Sequence, residues 1–290
     1  MENITGMNKI GVDIGKTKIE CCVLSPTNDI LFRERLPTDS VYKEIEFLYN
    51  KALSYTSTKE HTLGICMPGS ISNRTGLMKN SSIEFLNDTD FVGILETKLN
   101  RKIQTANDSQ CFALAEALLG AGNGYNTVFG MILGTGVGGG IVINSSLHKG
   151  FHNISAEWGH TTLDTSNNIM CRCGRIGCVE TWLSGSGIDK WAFNITNKKL
   201  STKEYLQISE IQESFLEQFG LAIANLVQVL DPDCIVIGGG ISNNDILYTR
   251  GSERVKKIIF NDEFSTPIFK AKLGDSAGVI GAALLWQMTL

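Results

Sequence analysis

The chain has 290 residues, 42% of them hydrophobic and 19% charged, which excludes a disordered protein and supports a sizeable core in one large domain or two lobes. A formal net charge of −4 without blocks of like charge argues against a nucleic-acid surface. No run of about 18 strongly apolar residues offers a membrane span, and Met1-Glu2-Asn3-Ile4 has no basic region leading into an apolar one, so a cytoplasmic protein without membrane or nucleic-acid partners is expected.

Strand-like and helix-like segments alternate, the pattern of an α/β protein. Residues 9–14 predict a strand, a short turn follows, and residues 19–24 predict a second strand. Residues 63–67 predict an apolar strand closed by Pro68-Gly69. Residues 103–106 predict a strand running directly into Asn107-Asp108, and 109–119 carry a helical pattern stopped by Gly120, Gly122 and Gly124. The second half restarts this scheme with a strand at 127–133, a glycine-rich turn at 134–140 and a return strand at 141–143. The recurrence suggests two similar lobes. Leu216, Phe219, Ile223, Leu226 or Val227, and Leu230 give residues 209–230 a helical period. Asp231-Pro232-Asp233 ends that helix, residues 234–237 predict a strand, and Gly238-Gly239-Gly240 follows.

Three glycine sites invite a phosphate group. Asp13-Ile14-Gly15-Lys16-Thr17-Lys18 combines a glycine that admits close backbone approach, a hydroxyl and ammonium groups that can donate, and a carboxylate able to help hold Mg²⁺. An ordinary hairpin turn would use the same residues. Gly134-Thr135-Gly136-Val137-Gly138-Gly139-Gly140 holds five glycines in seven residues, a composition that serves close approach or positive φ. It is neither a Walker A loop nor a strand-to-helix dinucleotide turn. Gly238-Gly239-Gly240 is the third site, and together the three point to a phosphate ligand.

The eight cysteines fall into two groups. Cys21, Cys22, Cys66, Cys111 and Cys234 stand among apolar residues, as buried thiols do. Cys171, Cys173 and Cys178 cluster with two glycines for tight turns, and His160 can complete a tetrahedral Cys₃His site for a structural Zn²⁺. Asp108 lies where a strand ends and a helix begins, a place that suits both a reactive group and a helix N-cap. The residues alone leave those two roles open.

These motifs, in this order, resemble the ROK family: Asp13 to Lys18, Asn107-Asp108, Gly134 to Gly140, Glu157-Trp158-Gly159-His160, the Cys171-x-Cys-Gly-x-x-Gly-Cys-x-Glu180 word, and Gly274 to Ala283 near the end. The resemblance spans nearly the whole chain. It implies an actin-like, ribonuclease H-like ATPase fold of two lobes with a cleft between them. The expected division is a small lobe of residues 1–108 joined by a C-terminal helix at 277–290, and a large lobe of 109–276 carrying the zinc motif. It further implies ATP bound with Mg²⁺ and a hexose as phosphoryl acceptor. Asp108 matches the catalytic base. Glu157, His160 and Glu180 match residues that hold sugar hydroxyls, and Gly69, Asn80 and Asn107 match others around the sugar. Asp13, Gly15, Lys16, Thr17 and Lys18, with Gly134, Thr135, Gly136, Gly138 and Gly238 to Gly240, match the nucleotide loops. One departure stands out: Lys16 occupies a position where the family usually has a second glycine.

The family includes kinases and repressors. Only about eight residues precede the first strand, too few for a helix-turn-helix domain, and a kinase is expected. Met67 to Ser72, Thr75 to Asn80 and Glu180 to Gly187 are similar to fructokinases and mannokinases of the family, so fructose or mannose phosphorylated at its primary hydroxyl is the first expectation. N-acetylglucosamine, N-acetylmannosamine or glucose is the alternative, and a non-catalytic sugar-binding regulator a more distant one. Relatives are commonly homodimers, and the same is expected here.

Overall fold

The computed structural model describes residues 6–56 and 60–288. The expectations resting on residues 1–4 and on the end of a helix reaching 290 therefore lie outside the described residues. The chain divides into two compact units, the first made of Met1–Leu119, Gly140–Ser155 and Leu273–Leu290, the second of Gly120–Gly139 and Ala156–Lys272.

The first unit opens with β1 (Asn8–Ile14) and β2 (Lys18–Leu24), paired antiparallel, and β3 (Ile30–Pro37) extends them outward. Helix α1 (Val41–Leu53) buries Val41, Ile45, Leu48 and Ala52, the apolar stripe of its 3.6-residue period. The chain then adds β4 (His61–Met67), parallel to β1 and buried at every residue, as a strand covered on both faces must be. A small hairpin of β5 (Ser70–Ile71) and β6 (Met78–Lys79) follows, then α2 (Phe91–Leu99) capped by Asp90, whose side chain accepts from the Gly93 N–H. Strand β7 (Gln104–Asn107) runs parallel to β4, and α3 (Asp108–Leu119) begins at the next residue. The sheet order is β3-β2-β1-β4-β7. A closing helix, Ala277–Leu284, packs on β1, β4 and α3. Its approach depends on glycines: a methyl at Gly64 would fall 1.9 Å from the Ala282 carbonyl oxygen, and one at Gly281 would fall 1.9 Å from that of Cys111.

The second sheet begins with β8 (Thr127–Leu133) and β9 (Val137–Ile143), and the boundary between units crosses β9. Strand β9 starts four residues earlier than the pattern predicts. Gly138 to Gly140 belong to the strand, and glycine is required at two of them by close neighbours: a methyl at Gly139 would lie 2.7 Å from Trp158 Cδ1, and one at Gly140 2.6 Å from Ala113 Cβ. With β10 (Ser146–Leu147), β11 (Cys234–Gly238) and β12 (Ile268–Lys270), the order is β10-β9-β8-β11-β12. Counted within each sheet, both read third, second, first, fourth, fifth, so the weak repeat in the sequence corresponds to one topology used twice.

Helices of the second unit are α4 (Val179–Leu183), α5 (Gly185–Thr196), α6 (Thr202–Tyr205), α7 (Ser209–Leu230) and α8 (Arg250–Ile258). Helix α7 has the bounds the sequence predicts. It buries Leu216, Phe219, Ile223 and Val227 and ends at Asp231 in the left-handed conformation just before Pro232. Among the described residues no helix is long and apolar enough to cross a membrane.

Candidate active site

In the first unit the predicted residues gather at the C-terminal ends of parallel strands, where open α/β sheets place ligands. Register sets Asp13 beside Cys66, and Met67 beside Asn107. Asp13 also faces Glu20 across the β1–β2 pair. Burial pushes the Asp13 carboxyl up, the Cys66 thiol opposes this by hydrogen bonding, and the charges of Asp108 and Glu20 raise it further, against Lys18, to about 6. Arg33 and Arg35 on β3 both bridge to Glu20. A mostly buried carboxyl crowded by two others suits a divalent cation, which would relieve the repulsion. Asp13 fits the Mg²⁺ role on that ground.

Residues 15–18 form the turn of the β1–β2 hairpin. The Gly15 N–H donates to the Lys18 carbonyl at 2.9 Å, and Thr38 Oγ donates to the Gly15 carbonyl at 2.9 Å. Lys16, Thr17 and Lys18 are exposed. The hairpin is thus a regular turn whose polar side chains remain available to a ligand.

Of the two roles left open for Asp108, the helix cap falls to its neighbour Asn107. Asn107 Oδ1 accepts from the Gln110 N–H at 2.7 Å, and Gln110 Oε1 accepts from the Asn107 N–H at 3.2 Å. That reciprocal pair is a capping box, with Asn107 as the cap and Gln110 three residues on. Asp108 is the first helical residue and exposed, and its Oδ1 accepts only from its neighbour Ser109, through N–H at 2.8 Å and Oγ at 3.2 Å. The second carboxylate oxygen of Asp108 therefore needs no part in capping. Gly69 has φ +100, and a methyl there would lie 2.6 Å from the Lys79 carbonyl, so it sits against Asn80, itself at φ 57. The structure brings Gly69 and Asn80 together in this way.

The second unit holds the cysteine cluster. His160 ends a short 3-10 turn, Trp158–His160, anchored by the Trp158 Nε1–H donating to the Gly138 carbonyl at 3.1 Å. His160 Nδ1 lies 3.4 Å from Cys171 Sγ, and Cys173 Sγ lies 3.6 Å from Cys178 Sγ. Ligand atoms of His160, Cys171 and Cys173 all fall within 4.8 Å of one another, with Cys178 joined through Cys173. Sulfur atoms about 2.3 Å from a common tetrahedral centre stand roughly 3.8 Å apart, so the donor set fits Zn²⁺. Turns at Gly174 and Gly177, both at positive φ, shape the loop, and a methyl at Gly177 would fall 2.2 Å from the Asp164 carbonyl. Burial disfavours the Cys173 thiolate, but hydrogen bonds from the backbone and side chain of Arg175, and from Cys178 and Cys171, outweigh it and bring the thiol down to about 6. Cys178 is pushed up to about 12 by burial and by the neighbouring sulfurs. One low thiol among raised ones is what packing several ionisable sulfurs around one point produces.

Glu157 Oε2 stands 4.0 Å from His160 Nε2, the imidazole nitrogen opposite the one facing Cys171. Glu180, in the first turn of α4, spreads its two oxygens: Oε2 accepts from the Val137 N–H at 3.1 Å, and Oε1 lies 3.6 Å from Cys171 Sγ. The glycine turn 134–136 and Gly239 also meet, since a methyl at Gly239, whose φ is +84, would fall 2.4 Å from the Leu133 carbonyl and 3.1 Å from Gly134 N. Gly240 has open space around it. Gly238 closes β11, which runs parallel to β8.

Sequence reading missed Gln110, although a side-chain amide three residues after an Asn cap is a recognisable signal.

The chain is 34% identical over 299 residues to the N-acetyl-D-glucosamine kinase of Haemophilus influenzae (strain 86-028NP), covering 95% of this chain and 98% of that one. It is 33% identical over 297 residues to the N-acetylgalactosamine kinase AgaK of Shewanella sp. (strain ANA-3), covering 95% of each. The crystal structure of ROK hexokinase from Thermus thermophilus superposes with a TM-score of 0.86 at 27% identity, covering 96% of this chain and 97% of that one. The fold is the actin-like ATPase α/β fold of these kinases. The sequence matches the ROK family over residues 9–289, and the chain belongs to that family.

Proposed function

We propose that this ROK-family sugar kinase transfers the γ-phosphoryl group of ATP to the primary hydroxyl of an N-acetylhexosamine, with N-acetylglucosamine first. The observation that carries the sugar is the match over 95% of the chain to N-acetylhexosamine kinases at 33–34% identity. Fructose or mannose, the first expectation from the words at 67–80 and 180–187, gives way to the alternative. Selection at one ring carbon depends on geometry that those words do not encode.

Asp108 takes the proton of the primary hydroxyl as that oxygen forms its bond to the γ-phosphorus, while the bond from that phosphorus to the bridging oxygen of ADP breaks and ADP leaves with the electron pair. The capping duty carried by Asn107 and Gln110 keeps Asp108 available for this. Thr135 and Gly136 backbone N–H groups, with Lys18, meet negative charge on the phosphates. Mg²⁺, when bound, offsets that charge, and Asp13 is the residue to hold it. Glu157, His160 and Glu180 orient the sugar through its hydroxyls, and Zn²⁺, held by His160, Cys171, Cys173 and Cys178, fixes their loop. The homodimer and the cytoplasmic location belong to the same proposal. Eight cysteines, all unpaired, support a reducing compartment.

An ADP-coupled assay across N-acetylglucosamine, N-acetylgalactosamine, N-acetylmannosamine, glucose, mannose and fructose tests the reading. The largest kcat/KM belongs to an N-acetylhexosamine. A higher value for fructose or mannose refutes the assignment.

A further inference from the structure

The segment from Glu180 to Ser186, where α4 passes into α5, is stitched at both ends to the glycine turn of the same unit and the strand that follows it. The Gly185 N–H donates to the Gly134 carbonyl at 2.7 Å. The Thr135 carbonyl accepts twice from Ser186, from Oγ at 2.8 Å and from N–H at 3.3 Å. Glu180 Oε2 takes the Val137 N–H at 3.1 Å, and a methyl at Gly136 would lie 2.9 Å from that oxygen. The first N–H groups of a helix have no acceptor within it. In α5 the first two are taken by carbonyls of this turn and the third, that of Gly187, by the Ser184 hydroxyl at 2.9 Å.

Peptide planarity turns those bonds into an orientation. In a trans peptide the carbonyl of one residue and the N–H of the next point in opposite directions, and the described residues contain no cis peptide. Pinning the Gly134 and Thr135 carbonyls to α5 therefore aims the Thr135 and Gly136 N–H groups away from it. Neither of these N–H groups has an acceptor among the described residues. Two successive free N–H groups aimed together form an anion-binding nest.

We propose that α5 is the brace of the nucleotide loop and that Ser186 is a positioning residue for phosphate, acting through the Thr135 carbonyl. The inference rests on the reading of the glycine turn as the phosphate loop. Glu180 closes the same arrangement from the other end, so a residue assigned to the sugar also fixes the N–H of Val137.

The test titrates the full-length protein with a fluorescent ADP analogue in the absence of sugar, and measures KM for ATP and for sugar in parallel. Ser186→Ala is expected to weaken ADP binding and raise KM for ATP about three- to tenfold, the effect of one neutral hydrogen bond. KM for sugar stays within about twofold, since the hydroxyl meets the Thr135 carbonyl and the Ser184 hydroxyl and no residue assigned to the sugar, and Ser186→Thr restores nucleotide affinity by restoring the hydroxyl. Unchanged ADP affinity in Ser186→Ala, with or without a fall in melting temperature, overturns the brace. Equal increases in both KM values overturn it too. Wild-type protein that binds no ADP overturns the brace together with the phosphate-loop reading, which separates the two failures.

Discussion

Asp13→Asn tests the electrostatics of the first unit. The replacement keeps the size and most hydrogen-bonding capacity of the side chain and removes only the ionisable group, so packing against Gly278 is preserved. The wild-type carboxyl titrates at about 6 in the fold against an ordinary 3.8. Ionising it inside the folded protein thus costs about 3 kcal/mol more than ionising it in an open chain. The sign follows from the raised value. Below the ordinary value both states hold the proton and the cost is absent, across the interval between the two values it grows, and above the higher one it is complete. Without added nucleotide or Mg²⁺, wild type should therefore lose stability relative to Asp13→Asn as pH rises from 4 to 7. The gain for the variant at pH 7 is on the order of 6–12 °C in Tm for a unit of this size. Thermal melts followed by circular dichroism at half-unit pH steps measure it. Parallel Tm curves for the two proteins would show that Asp13 is better solvated, or better paired, than its surroundings indicate, and the reasoning would fall.

Asp108→Asn should keep sugar binding, measured by calorimetry, and lose ADP production by roughly a hundredfold or more; turnover near wild type removes Asp108 from the chemistry. Metal analysis of purified protein should find one zinc ion per chain, and Cys173→Ser, which deletes one donor, should drop that content well below one. Zinc-free wild type with undiminished stability would show that the four side chains are a reduced thiol cluster. Gly64→Ala forces a methyl onto the Ala282 carbonyl and should cost about 1–3 kcal/mol in urea unfolding. Wild-type stability in that variant would mean the closing helix is seated more loosely than its contacts with β4 indicate.

The sequence was most legible where local chemistry and global position agree. Helix α7 shows its period, its αL terminator and its proline stop within one stretch, and its bounds follow. Cys171, Cys173 and Cys178 were legible because sulfur is costly to cluster without purpose. The glycine run at 134–140 was legible as crowding but not as division of labour. Turn residues 134–136 face polar groups, while Gly139 and Gly140 make room inside a strand for partners distant in sequence, Trp158 and Ala113 among them. Pattern reading has no access to such partners. The same blindness hid Ser186, whose acceptor lies 51 residues away. Asp108 was ambiguous because cap and base favour the same position; the hydrogen bonds of Asn107 and Gln110 give the cap to Asn107 and leave the base a proposal.

The three separate chain segments of the first unit have a consequence for the order in which it can form. Strands β1 and β4 emerge early, yet the helix that seals them runs from Ala277 to Leu284. Until those residues are available, Gly11 and Gly64 face solvent with no side chain to shield the strand backbone. The sheet then carries an uncovered apolar face while the roughly 200 residues between β4 and that helix are made. Contacts of such long sequence separation slow folding, and exposed parallel strands invite aggregation. A nascent chain of this protein is accordingly expected to be a chaperone client until its last helix docks, and to acquire protease resistance in the first unit later than in the second.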